Sequence, residues 1–343
     1  MIKKVLSLKT EIRYNSGRNI KEKTMRVNTK KASWKKAKIP GSKFNLKRYI
    51  SDNKYVYLMM LPVIVWFAIF CYWPITWIRM AFYDYSLTNG FKGSTFVLFN
   101  NFLDFFEGEF FHLLGNTLAI NLLALVFLFP AAIVLALALN EVRNKAYKKT
   151  LSIISYLPHF LSTAALVGFI TSFLDPDSGL AGQVCKALNI PYVNSLLYKA
   201  DAFRGIQVVS GIWQTVGWNS IIYSAALTSI DPCLYEAAEI DGAGKWNEIF
   251  NVTLPSILPT IVIMLIMQIG AIMGSNFEKI YLMQNNGNLE KSEVIATYVY
   301  KVAFNDFKYG LSTAVGLFNS LVALVLVTIA NVFSKKLAET SLW

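Results

Sequence analysis

Six runs of apolar residues, each longer than the interior of an ordinary soluble domain calls for, run through this 343-residue chain. They cover approximately Tyr55–Tyr83, Thr117–Asn140, Leu151–Leu174, Gly205–Ser229, Thr253–Phe277 and Leu311–Phe333. A hydrocarbon layer about 30 Å thick is crossed by roughly 20 residues of helix. The spacing therefore predicts an all-α polytopic membrane protein with six transmembrane helices. Pro62 and Pro74 fall in the first run, so a kink is expected there.

Charge orients these spans. Met1–Lys54 carries a net +14, and the rest of the chain sums to −2. This stretch is rich in Lys, Asn and Ser and lacks sustained periodicity, which predicts a basic, disordered tail over 1–54 ahead of a six-span domain over 55–343. Beside a membrane span, such charge is held on the cytoplasmic side and attracts anionic lipid. No recognition fold accompanies it, so nucleic acid is not the expected partner. No secretory signal pattern occupies the first thirty residues. The other positive blocks, Glu141–Lys149 (EVRNKAYKK), Lys245, and Lys335 with Lys336, fall on the same side as the tail. The first outer connection holds Asp84, Asp104, Glu107 and Glu109 against Lys92. Both termini are therefore expected in the cytoplasm.

The chain lacks the constellations that chemistry needs. Cys71, Cys185 and Cys233 are scattered and suggest neither a disulfide framework nor a zinc site. His159, just after Pro158, reads as a hydrogen-bonded packing residue. No H-E-x-x-H, G-x-S-x-G or G-x-x-x-x-G-K-[ST] is present, so no catalytic residue, no metal and no enzyme activity are expected. Without a Walker loop, energy from ATP would have to come through a partner. Span interiors nearly free of Asp, Glu, Lys and Arg argue against an ion-driven carrier, although uncharged groups also hold sodium.

The polar groups within the spans are neutral. Thr215, Asn219 and Tyr223 recur every four residues on one helix face, with Gln214 and Trp218 on the adjoining stripe. Gln268 and Ser275 share a face of the fifth run, with Asn276 and Glu278 at its outer end. Interhelical hydrogen bonding would account for such residues. Neutral donors and acceptors among aromatics also suit a hydroxyl-rich solute such as a sugar. On that reading Trp218, Asn219, Tyr223, Gln268 and Asn276 line a substrate pathway.

A different kind of segment separates the fourth and fifth runs, SIDPCLYEAAEIDGAGKW. Asp231 is a good N-cap and Pro232 suits the first helical position. Glu236 and Glu239 follow, and Ala237 and Ala238 form a small face that another surface can approach closely. Gly242 and Gly244 offer left-handed stopping positions. Helix is expected to resume over Trp246–Leu254, with Pro255 and Pro259 marking entry to the next span. This ordering suits a surface for docking a rigid partner.

EAAEIDGA followed by FNVTLPSILP resembles the EAA signature of permease subunits in binding-protein-dependent ABC importers. GSNFEKIYLM (Gly274–Met283) and VIATYVYKVAF (Val294–Phe304) are similar to the carbohydrate-uptake branch. NTLAINLLALVFLFPAAIVLALALNEVRNKAYKKTLSIISYLPHFLS (Asn116–Ser162) is similar to its polysaccharide and oligosaccharide sub-branch. The likeness runs from about Asn53 to the C-terminus.

The resemblance implies a MetI-like type I importer permease fold in a bacterial cytoplasmic membrane. Its coupling helix, near 232–244, would sit in a groove of a cytoplasmic ATPase. Glu236 would be the polar anchor, Ala237 and Ala238 the close-contact face and Gly242 the turn, with Asp241 also among the ATPase-coupling residues. The implied partners are a second homologous permease, usually different in sequence, two ATPase subunits and an extracellular solute-binding protein. ATP and Mg would be bound by the ATPases, with no cofactor on this chain. The implied cargo is a sugar, an oligosaccharide or polysaccharide fragment, moved by alternating access. QNNGNLEKSEV (Gln284–Val294) departs from the glycine- and proline-rich outer loop of maltose-type relatives, which leaves the sugar open. The alternative is an ATP-independent carrier or channel for a polar neutral solute.

Overall fold

A computed structural model describes residues 53–337 apart from Ser275. Almost all of the expected basic tail, 1–54, lies outside the described residues. The chain divides into two units, 1–66 and 67–343. In the first, the described residues enter helix α1, Lys54–Phe67, which continues through Pro62.

In the second unit a π-helical stretch, Ala68–Tyr72, gives way to a 3-10 segment, Trp73–Phe82, that has Pro74 at its start. The irregularity expected of the first run thus falls at Pro74, where the ring removes a donor and tightens the turn. Tyr83–Asp84 (β1) then pairs antiparallel with Thr95–Phe96 (β2). The long helices follow as α2 (Phe110–Glu141), α3 (Lys145–Tyr156), α4 (Thr163–Phe173) and α5 (Ala200–Thr228). After them come α6 (Pro232–Ile240), α7 (Leu254–Ala271), α8 (Phe277–Met283), α9 (Ile295–Phe304) and α10 (Tyr309–Leu337).

Among the described residues four stretches are long and apolar enough to cross a membrane: Lys54–Phe82, Phe110–Glu141, Lys245–Ala271 and Tyr309–Lys335. The protein is a multi-pass, mainly helical membrane protein. The other two predicted runs depart from simple spans for identifiable reasons. Leu151–Leu174 is bent by 99° between Lys145–Phe160 and Thr163–Phe173. Pro158 sits in a 3-10 turn, Leu161 is extended, and Ser162 restarts the helix by accepting a hydrogen bond from the Ala165 N–H at 3.2 Å. The run at Gly205–Ser229 lies in α5, which at 29 residues is about 43 Å long. Its polar stripe sets it apart from the four apolar spans.

The interior is built mainly around α2 and α5. One buried cluster joins Ile120, Leu166, Ile170, Phe203 and Ile280, and another joins Ala132, Ala136, Val216, Tyr223, Leu227 and Ile257. Gly217 sets the approach of α3 to α5, since a Cβ there would lie 1.9 Å from the Ser155 carbonyl oxygen. Backbone cannot retreat as a flexible side chain does, so overpacking of about 1–3 kcal/mol or more is expected from Gly217→Val. The variant should lower the thermal midpoint of the purified protein by several degrees, read by fluorescence-detected size exclusion. An unchanged melting curve would contradict this contact.

Candidate functional site

The segment after α5 folds as its composition dictates. Asp231 caps α6, its carboxylate accepting the Cys233 N–H at 2.9 Å, and Pro232 occupies the first turn. That hydrogen bond holds the Asp231 carboxyl below its ordinary pKa. At the other end the Gly242 N–H donates to the Glu239 carbonyl at 3.0 Å, and the Ala243 N–H to the Ala238 carbonyl at 2.9 Å. This is a Schellman closure, and it requires the left-handed φ of +78° that Gly242 adopts. Gly244 is different. It is extended, at φ −78° and ψ 167°, and starts the next helix at Lys245 rather than stopping the last one.

Glu236, Ala237, Asp241 and Gly242 are exposed, and Ala238 is half-buried. Around them Ile240 is 86% and Trp246 74% exposed, an unusual outlay of apolar surface on a polar connection. The helix is nevertheless held in place. The hydroxyls of Tyr235 and Thr253 bond at 3.0 Å, and Lys245 reaches Glu248 at 2.7 Å and Glu141, at the end of α2, at 3.9 Å. The result is an anchored knob on which Glu236, Ala237 and Ile240 are exposed and Trp246, on the following turn, is exposed beside them in sequence.

Within the bundle a cavity of about 200 Å³ opens between α2, α5 and α7. Asn219, Tyr223, Gln268 and Asn276 line it, with Asn121, Thr215 and His159. Four of the five residues expected in the pathway are thus brought together. Tyr223 is 2% exposed, its ring edge-on to Phe129 at 6.2 Å. Asn276 adopts φ +65° at the break between α7 and α8, a conformation that asparagine tolerates better than most residues.

Trp218 is the exception and does not line the cavity. It is stacked on His159, centroids 4.6 Å apart and planes 6° apart, and the imidazole faces the space instead. The bend after Pro158 is what brings His159 there. The expectation of a hydrogen-bonded packing histidine is corrected on one point: its buried Nδ1 has no partner among the described residues. Sequence spacing along α5 placed Trp218 correctly on the helix but could not show that another segment's ring would intervene.

The loop Gln284–Val294, expected from the sequence on the outer side, is compact. Asn288 is fully buried, donating to the Leu197 carbonyl at 2.8 Å and the Met283 carbonyl at 2.9 Å. Asn116, on α2, donates to the carbonyls of Glu290 at 2.9 Å and Glu293 at 3.0 Å and accepts from Arg204 at 2.8 Å. Buried amides thus fix a loop that has little glycine and no proline. Among the described residues no group of three or more His, Cys, Asp or Glu is placed to hold a metal ion.

A chain with this capped, exposed helix and a polar cavity inside its helical bundle is similar to known proteins. Residues 128–339 match the family described as binding-protein-dependent transport system inner membrane component. The protein LplB of Bacillus subtilis (strain 168) is 40% identical over 295 residues, covering 86% of this chain and 92% of that protein. The polygalacturonan/rhamnogalacturonan transport system permease protein YteP of the same organism is 40% identical, covering 85% and 91%. Among solved structures, a chain of a bacterial alginate ABC transporter, crystallised with its alginate pentasaccharide-bound periplasmic protein, superposes with a TM-score of 0.80. It is 37% identical, with 87% of this chain and 99% of that one covered.

Proposed function

The chain belongs to the family of inner membrane components of binding-protein-dependent transport systems, and we propose that it is the saccharide-translocating subunit of an ATP-driven importer. The cargo on this reading is an oligosaccharide or polysaccharide fragment handed over by an extracellular binding protein. The relatives named for polygalacturonan/rhamnogalacturonan and alginate transport support a saccharide. The observation that carries the reading is the α6 knob. Its capped ends, its exposed Glu236 and Ala237 beside the half-buried Ala238, and its tie to α2 through Lys245 suit transmission of force from a separate motor.

The subunit works beside a second, homologous permease and two cytoplasmic ATPases. Closure of the ATPases pushes on α6 of each permease and turns the cavity from inward- to outward-facing. The binding protein then releases sugar into it, and ATP hydrolysis on the partner subunits resets the pair. In the cavity Asn219, Gln268 and Asn276 exchange amide hydrogen bonds with sugar hydroxyls, and the Tyr223 ring gives them an apolar wall. The energy-consuming chemistry is performed elsewhere. Both termini lie in the cytoplasm of a bacterium, and the basic tail faces anionic lipid.

Reconstitution in proteoliposomes tests this directly. Sugar uptake is expected only when ATP, the ATPases, the sister permease and the binding protein are all supplied. Passive movement of sugar down its gradient through this chain alone would favour an ATP-independent carrier and defeat the proposal.

A further inference from the structure

Lys279 stands in an environment that nothing in the protein explains. It lies on α8 just beyond the Asn276 turn and is only 5% exposed. Its counterparts on the outer side are paired: Lys291 with Asp201, and Lys301 with Glu293 at 2.8 Å. Lys279 makes no ion pair or hydrogen bond among the described residues. The adjacent acid, Glu278, is exposed and forms no ion pair with it. Burying an ammonium without a counter-charge is costly, and a methionine would fill similar volume without that cost. An unpaired ionisable group at such depth points to a ligand.

The side chain borders open space. It lines a niche of about 20 Å³ together with Gln207, Gln214, Thr215 and Asn276. The niche shares Ala124, Leu128, Thr215 and Asn276 with the larger cavity, so the two adjoin one another. Of the polar neighbours, Gln207 is engaged with the Met283 sulfur at 3.6 Å, and the Thr215 hydroxyl donates to the Gly211 carbonyl at 2.9 Å. Gln214 and Asn276 keep amide donors for an incoming group. A single ammonium flanked by neutral amides, at the edge of a cavity with no carboxylate among its lining residues, matches one anionic substituent on a polyhydroxyl body.

We propose that Lys279 is a specificity-determining residue that pairs with the carboxylate of an acidic saccharide, so that the cargo of this transporter carries uronic acid units. This rests on the importer reading and adds the charge of the cargo. Neutral sugars would occupy the same cavity but leave the ammonium unpaired, and that penalty discriminates against them.

The test uses the complete transporter in proteoliposomes, with binding protein and sister permease. The probes are trisaccharides of galacturonic, guluronic, mannuronic and glucuronic acid, each with its carboxyl-reduced neutral counterpart. The wild type should take up at least one acidic member at least tenfold faster than its neutral counterpart. Lys279→Met should shrink that acidic-to-neutral ratio at least tenfold, and Lys279→Arg should restore most of it. The binding protein is common to all arms, so its own preference cancels between wild type and variant. Should Lys279→Met fail to assemble, Lys279→Gln, neutral but polar, is read against the wild type in its place and must shrink the same ratio at least tenfold. An unchanged ratio in an assembled Lys279→Met transporter, or uptake of neutral members alone, overturns the proposal. Failure of the importer reading itself looks different: no saccharide of either kind shows ATP-dependent uptake.

Discussion

Glu236→Lys abolishes sugar uptake by the reconstituted transporter and strips the ATPase from the purified permease, while membrane insertion and the folding of the chain are unaffected. The reasoning is electrostatic and local. Glu236 is exposed and makes no internal ion pair or hydrogen bond among the described residues, so its replacement costs the isolated chain little. In a docked complex the acid would become buried against a partner group. Reversing one member of such a pair typically costs about 2–5 kcal/mol or more, roughly thirty- to several-thousand-fold in affinity. Gly242→Val should act by a separate route. A β-branched side chain at φ +78° carries strain on the order of 1–3 kcal/mol. It also loosens the Schellman closure that sets how α6 is presented. Its effect should be smaller than that of Glu236→Lys and partly relieved by cooling. Quantitative co-purification of tagged ATPase with each variant decides the matter, and undiminished recovery with both would remove α6 from the coupling role.

Alanine at Asn219, Tyr223, Gln268 and Asn276 together leaves the ATPase bound but lowers sugar transport. Each hydrogen bond in such a site contributes about 0.5–1.5 kcal/mol, so the three amides alone are worth at least about a tenfold fall in uptake at subsaturating sugar. The two classes of variant therefore separate cleanly. The α6 changes lose the motor, whereas the cavity changes keep it and lose the cargo. Trp218→Ala belongs to neither class. It removes the platform under His159, and its consequence should be a modest change in the cavity wall, below that of Tyr223→Ala. Uptake unchanged by the fourfold alanine variant would reduce the cavity to a packing defect.

Much of this was legible in the chain, and the parts that were not share a cause. The limits of α6 could be read because Asp231, Pro232 and Gly242 act through backbone geometry within a few residues of themselves. The α5 stripe of Thr215, Asn219 and Tyr223 was legible because a helix repeats regularly, whatever surrounds it. Long-range placement was not. Hydropathy scored Leu151–Leu174 as one span since it is blind to direction, and the 99° turn at Pro158–Ser162 depends on what the segment packs against. That turn in turn delivered His159 to the cavity. Lys279 follows a span and looks in sequence like an interfacial lysine reaching for water. Only the fold, which sets α8 beside Gln207 and Gln214 of α5, shows that it is buried at the rim of a polar niche. Gly244 was read as a second stop because glycine permits a left-handed turn, but permission is not requirement, and a following Lys-Trp-Asn-Glu helix uses it in the extended state.

Gly217 carries a mechanical consequence. With the Ser155 carbonyl seated where a side chain would stand, α3 and α5 cannot ratchet past one another without driving oxygen into helix backbone. Sliding is blocked, and rotation of the two as one body is what remains. Only Ser229, Ile230 and the Asp231 cap separate α5 from α6, so a push on the knob would reach a helix about 40 Å long, whose far end bears Gln207 and Arg204 beside the asparagine-pinned loop 284–294. Under the proposed importer mechanism such a push would arrive at that loop as tilt rather than being dissipated as slip.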